Sequence, residues 1–188
     1  MNVTLDAVTH IYTVEGLGSP SSMSKVLDIY WPPSPFFTKE GADKGTSRHT
    51  WYQPIFRGLE ITNEPDPRIA AEVEGCRKFM REHRPEFILG EVPMYDKERC
   101  VCGTADLYCK MHGRLAVVDA KPKNKQKRWM AQTAGYKRML IANGYPVLDR
   151  YALRLLPGTY RLDKHDDEMD LDNYDDMVRG FHARAYYG

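Results

Sequence analysis

Between residues 100 and 121 the side chains alternate in two runs separated by a turn. Cys100 to Cys109 is rich in strand formers, Leu115 to Lys121 is a second such run, and Met111-His112-Gly113-Arg114 lies between them. Gly113 can supply a positive φ, so the pattern predicts a β-hairpin with His112-Gly113 as its two-residue loop. If Met111 pairs with Arg114, Asp106 falls opposite Asp119 on one face, with Cβ atoms roughly 4.5–5.5 Å apart. Lys121, two residues beyond Asp119, shares that face. The other face carries Val101, Gly103, Ala105, Leu107, Cys109, Ala116, Val118 and Ala120, all small or apolar, against which a helix can pack. A slip of one residue would turn every one of these side chains over, so the apolar face also aims the charged one.

The rest of the chain follows the same two periods. Val3, Leu5, Val8, Ile11, Tyr12 and Val14 suggest a small hairpin over residues 2–14. Pro20-Ser21-Ser22 offers an N-cap for a short helix through Lys25, Val26, Leu27 and Tyr30, which Trp31-Pro32-Pro33-Ser34-Pro35 stops. A helix over Lys44 to Phe56 carries His49 and Trp51, weakened at its start by Gly41 and Gly45 and kinked by Pro54. Asp66 to His83 is the clearest amphipathic helix, with Asp66 as N-cap, Pro67 at the first position and a stripe of Ile69, Val73, Cys76, Phe79 and Met80. Phe87 to Met94 reads as a strand. Gln126 to Ala142 returns to helical period through Trp129, Thr133, Tyr136 and Leu140, and Asn143-Gly144 with Pro146 closes it. Arg150 to Leu156 is a strand with which Gly158 to Leu162 can pair, and Asp175 to Tyr186 is a last helix. The run Asp163 to Asp176 carries eight acids. It lacks the glycine and the ligand order of a calcium loop and reads as a solvated, flexible linker. Helix, three strands, helix, strand predicts an α/β domain with a mixed sheet.

At 188 residues the chain suits one domain. Residues 1–60 form an N-terminal hairpin and helical elaboration carrying His49, 66–156 a core, and 157–188 a C-terminal strand, acidic linker and helix. The formal charge of +1 makes no global statement about nucleic acid, so any phosphate affinity must be local. No apolar run is long enough to span a bilayer, and the first residues lack the layout of a secretion signal, which predicts a cytoplasmic protein without membrane contact. Cys76, Cys100, Cys102 and Cys109 lack zinc-site spacing and read as reduced thiols.

Two facing carboxylates and an ammonium invite a divalent ion, since Mg²⁺ needs only one or two carboxylates beside substrate phosphate. The carbonyl of Ala120 can add a ligand. Lys121 can orient an attacking water or neutralise developing charge. The bland alternative is a solvated strand face with ordinary surface charges. Past the strand, Lys123, Lys125, Lys127 and Arg128, followed by Lys137 and Arg138, form a basic approach suited to DNA phosphates. Its own alternative is a solvated loop. Gln132 and Tyr136 are four apart and share a helix face.

Gly103-x-x-Asp106, then Asp119-x-Lys121, then Gln132-x-x-x-Tyr136 together resemble the signature of the RecB-like branch of the PD-(D/E)XK nuclease superfamily. Gly45-Thr46-Ser47-Arg48-His49 is similar to that branch's upstream histidine element. The opening, His10-Ile11-Tyr12 and Pro20 through Leu27, looks like that of short phage or prophage exonucleases, so that the likeness spans about residues 9–140. It implies a restriction-endonuclease-like core, a mixed β-sheet flanked by helices. It implies that His49, Asp106, Asp119 and the carbonyl of Ala120 hold Mg²⁺ or Mn²⁺, that Lys121 is the catalytic lysine, and that Gln132 and Tyr136 border the site. Glu91, in Leu89-Gly90-Glu91-Val92-Pro93, falls where relatives often carry an acid and is a supporting residue. The activity implied is a DNA exonuclease acting on double-stranded ends in phage-type recombination, repair or replication, with a phage single-strand annealing or recombination protein as a candidate partner. Relatives with an iron–sulfur cluster take one cysteine from before the core and the others after it. Here all four precede Lys121, so no cluster is expected. The alternatives are an endonuclease of the same superfamily, junction-resolving or restriction-type, and an inactive DNA-binding module.

Overall fold

The computed structural model describes residues 2–6, 9–32 and 39–187, the side chains of 39–47 and 187 excepted. Val8 and Pro33 to Pro35, used in the sequence reading, lie outside them. In chain order the elements are β1 (Val3–Leu5), β2 (Tyr12–Val14), β3 (Ser21–Ser22), α1 (Met23–Tyr30), α2 (Lys39–Phe56), α3 (Ala70–His83), β4 (Glu86–Leu89), β5 (Pro93–Asp96), β6 (Val101–Thr104), β7 (Leu107–Met111), β8 (Arg114–Lys121), α4 (Arg128–Ala142), β9 (Asp149–Leu156), β10 (Thr159–Lys164) and α5 (Met169–Tyr187). No helix among the described residues is long and apolar enough to cross a membrane.

The main sheet runs β10-β9-β8-β7-β4. β4, β7 and β8 pair antiparallel, and α4 then carries the chain over to β9, parallel to β8. Helix, three strands, helix, strand is therefore the order of α3, β4, β7, β8, α4 and β9. Between β4 and β7 the chain leaves for a second sheet, β3-β6-β5. This corrects two expectations, because Phe87 to Met94 and Cys100 to Cys109 are each split between sheets. The departures have local causes. Glu91 is left-handed, with φ of 54°, and its N–H bonds Ala105 O at 2.9 Å, which pins both crossing points together.

Helices cover both faces of the main sheet, which gives an α/β fold with a mixed sheet flanked by helices. Val26, Leu27, Tyr108, Val117, Met139, Leu140 and Tyr174 form the core toward α1, α4 and α5. Phe56, Val73, Phe79, Leu107, Cys109, Val118 and Leu153 form the core toward α2 and α3. Burying a Val, Leu or Phe side chain contributes about 1.5–3 kcal/mol, so the two cores fix the register of β7 and β8 from both sides. On α4 the close approach is at Gly135, where a Cβ would collide with Met23 Sδ and the Tyr174 ring.

Helix α3 begins at Ala70 rather than Asp66, whose carbonyl instead accepts from Ile69 N and Ala70 N in a preceding turn. The larger correction is at the acidic run. Asp163 lies in β10, and the last helix starts at Met169. Leu171, Tyr174 and Val178 recur at helical spacing and are buried, so the segment has an apolar stripe to dock. Its acids meet arginines: Asp163 with Arg154, Asp170 with Arg150, and Asp175 with Arg99 and Arg138. Arg150 is itself buried. Asp170 and Asp172 also sit in the first turn of α5, where the helix dipole favours anions.

Candidate metal centre

β7 and β8 pair from Leu107↔Val118 to Met111↔Arg114, the predicted register. His112 and Gly113 both have positive φ, 51° and 75°, as a tight two-residue loop requires. The ladder stops one pair short of Asp106 and Asp119. Asp106 stands just off the strand, where its carboxylate Oδ2 accepts from Ala120 N at 2.8 Å and its backbone carbonyl accepts from Gln53 Nε2 at 2.7 Å. Its position is thus set by β8 and α2 together. In a strand the N–H and C=O of one residue point to the same edge, so the carbonyl of Ala120 is directed to the side on which Asp106 lies.

Neither acid is a solvated strand charge: Asp106 is 5% and Asp119 1% exposed. Burial, and then the nearness of Asp106, push the Asp119 carboxyl well above the usual carboxylate range, against the pull of Lys121. Lys121 Nζ is 2.6 Å from Asp119 Oδ2 and donates to Gln132 Oε1 at 2.9 Å. Gln132 Nε2 in turn donates to Tyr136 OH at 3.0 Å. Helix α4 therefore orients the lysine through a residue four before a buried tyrosine. Asp119 Oδ2 is buried and engaged by Lys121 as an ion pair, without hydrogen-bond geometry.

The second half of the centre comes from α2 and the loop after β4. His49 Nδ1 is 2.8 Å from Glu91 Oε1 and 3.6 Å from Asp106 Oδ1. One ligand atom from each of His49, Glu91 and Asp106 lies within 4.8 Å of the others. The bond to Glu91, helped by Asp106, raises the His49 pKa to about 9 against the opposing effect of burial. Arg48, one residue before, grips Glu72 of α3 through two bonds of 2.6 and 2.9 Å and so anchors this part of α2.

The predicted ligand set is thus regrouped. His49 and Asp106 come together as expected, Glu91 joins them although the sequence marked it only as supporting, and Asp119 sits beside the trio, engaged by Lys121. Gly90 makes this possible, because a Cβ there would collide with the Asp106 carbonyl and the Gln53 amide. Gln53 is a residue the sequence reading missed. It lies four after His49 on α2, and that spacing was the available signal. An imidazole with two carboxylates and a third close by is a donor set that fits Mg²⁺ or Mn²⁺.

The cations of the expected basic approach differ in what engages them. Lys123, Lys125 and Lys127 are exposed between β8 and α4, and no salt bridge engages them among the described residues. Arg128 instead reaches Asp28 at 3.1 Å and Trp31 O at 3.4 Å, tying α4 to α1. Lys137 pairs with Glu168 and Arg138 with Asp175, so the two cations farther along α4 serve α5 and the residue before it. Of the cysteines, Cys76 and Cys109 lie in the core under α3, Cys102 packs beneath the N-terminal hairpin, and Cys100 is exposed. No protein-family model matches the sequence, and no curated protein matches it.

Proposed function

We propose that this protein is a metal-dependent deoxyribonuclease of the RecB-like PD-(D/E)XK kind, an exonuclease hydrolysing phosphodiester bonds at DNA ends. The observation that carries the reading is the convergence of His49, Glu91 and Asp106 beside a buried Asp119–Lys121 pair. His49, Glu91, Asp106 and Asp119 would hold Mg²⁺ or Mn²⁺, with the carbonyl of Ala120 as a further ligand. When bound, such an ion lowers the pKa of its water and stabilises charge on the phosphate oxygens.

The chain's own residues supply the rest. The Ala120 amide holds the Asp106 carboxylate in place, and both acids are withdrawn from solvent. The Lys121 ammonium, fixed by Gln132, orients the attacking water and balances charge as the bond breaks. Lys123, Lys125 and Lys127 lie beyond β8, where they meet the DNA backbone without reading bases. The test is purified protein with Mg²⁺ or Mn²⁺ on linear and covalently closed DNA of one sequence. Linear DNA should be degraded, much faster than the circle. Equal rates would make the protein an endonuclease, and no cleavage of either would overturn the reading.

A further inference from the structure

A pair of metal-ligating side chains lies away from the candidate metal centre, at the turn end of the β7–β8 hairpin. His83 ends α3, and His112 is the first residue of the two-residue loop between the strands. His83 Nδ1 and His112 Nε2 are 2.9 Å apart. β8 runs from Arg114, beside this loop, to Asp119 and Lys121, so roughly 17 Å of strand at about 3.3 Å per residue separates the pair from the Asp119 carboxylate. Both rings are held. His83 is half-buried, its ring centre 5.2 Å from that of Phe79 and 5.6 Å from that of Tyr160, and this packing fixes the edge it presents to His112. His112 has a φ of 51°, the left-handed conformation the loop needs, and its exposed ring meets His83 at 77°.

One proton lies between the two facing nitrogens. It can pass to the outer nitrogen of its own ring, which gives the other neutral tautomer, and two lone pairs then face one point. Their separation of 2.9 Å is what two metal–nitrogen bonds of about 2.0–2.1 Å span near a right angle. Burial and the nearness of His112 hold the His83 pKa below its ordinary value, which keeps its imidazole in the neutral form that metals bind. Glu82, beside it in sequence, is taken up by Tyr160 OH at 2.5 Å and by Lys78, so the donors the pair offers are nitrogen. Imidazole donors at near a right angle suit tetragonal Ni²⁺ or Cu²⁺, whereas Mg²⁺ wants oxygen. We infer, independently of the nuclease reading, that His83 and His112 form a second metal site, for a divalent ion of the Ni²⁺ or Cu²⁺ class, with water completing the coordination. An ion there clips the end of α3 to the hairpin turn and, by binding the folded chain, stabilises it.

Calorimetry near neutral pH, with Ni²⁺ as the probe, tests the site on the whole chain. Because Ni²⁺ also suits His49, the native protein is compared with His49→Ala as well as with His83→Phe and His112→Asn. His83→Phe keeps a ring against Phe79 and Tyr160, and His112→Asn places before Gly113 the residue this turn prefers, so both should fold. Melting followed by circular dichroism in metal-free buffer checks that they do, and either folded variant suffices for the test. The native protein should bind Ni²⁺ in an event with a Kd tighter than about 100 μM, and that event should persist in His49→Ala. His83→Phe and His112→Asn should each weaken it by at least about tenfold. A folded His83→Phe or His112→Asn that binds Ni²⁺ as the native protein does overturns the assignment. So does a native protein whose Ni²⁺ binding at this strength is all removed by His49→Ala, or one that binds more weakly than that throughout; the histidines are then a hydrogen-bonded pair and nothing more.

Discussion

The two halves of the metal centre are built differently. Asp119, Lys121, Gln132 and Tyr136 stand on regular elements, β8 and α4, with their polar atoms bonded to one another in a buried chain. His49 and Glu91 stand on α2 and on a left-handed residue between two sheets, and the His49 side chain is 52% exposed. Asp106 joins the halves, with one carboxylate oxygen on the Ala120 amide and the other facing His49. The first half is rigid and desolvated, where a charge acts strongly on chemistry. The second is wetter and adjustable, which suits ligands that must exchange a proton for an ion. The difference predicts that damage to the first half abolishes turnover, whereas damage to the second shifts the metal requirement.

The largest effects should come from Asp106→Ala, Asp119→Ala and Lys121→Met, each lowering cleavage at saturating metal by about 10³-fold or more. Lys121→Met keeps the buried stem, and calorimetry should still detect metal at His49, Glu91 and Asp106. Near-normal turnover by that variant would remove the lysine from the chemical step. Next in size, His49→Ala and Glu91→Ala should raise the metal concentration for half-maximal activity by roughly 10–100-fold, with Mn²⁺ restoring the histidine variant better than Mg²⁺. An unchanged titration for Glu91→Ala alongside a shifted one for Asp119→Ala would dissolve the grouping of His49 with Glu91.

The same contrast explains what the sequence made legible. Periodicity carried Asp119, Lys121, Gln132 and Tyr136 because strand and helix spacing put each where it stands, and the register of β7 on β8 followed from a turn of two residues. It gave Glu91 a supporting place and passed over Gln53, for which the spacing from His49 was the one local signal, because both places depend on the close approach of α2 to the Gly90 loop, a long-range contact. It also took the run from Asp163 to Asp176 by charge alone. Charge does not count partners, and Arg99, Arg138, Arg150 and Arg154 lie far off in sequence.

A third prediction uses pH to separate the halves. His49 has its pKa raised from 6.5 to about 9 by Glu91, so the metal-free protein carries that proton at neutral pH. Its contribution to stability is complete below about 6.5 and is lost as pH rises through about 9. Metal takes the neutral imidazole, so binding releases the proton and affinity should rise with pH by up to roughly tenfold per unit across this window. Calorimetry at steps from about pH 6.5 to 8.5 measures the slope, and His49→Ala should make it shallower, leaving the share of the raised Asp119 carboxyl at the low end. A slope unaltered by that substitution would mean that His49 does not bind the ion.

The smallest effect lies outside both halves, on the approach. Each lysine that neutralises a phosphate makes binding fall more steeply with salt, by about 0.9 in the log–log slope on duplex DNA. Lys123, Lys125 and Lys127 are exposed and without salt-bridge partners among the described residues, whereas Arg128 already serves Asp28. Replacing the three lysines with alanine should therefore shallow the slope by up to about 2–3, with the metal titration unmoved. Arg128→Ala should change the slope far less and instead lower the melting temperature, because it unties α4 from α1. If the arginine variant flattens the salt dependence as much as a lysine variant does, the ion pair with Asp28 opens when DNA binds, and the basic approach extends onto α4 after all.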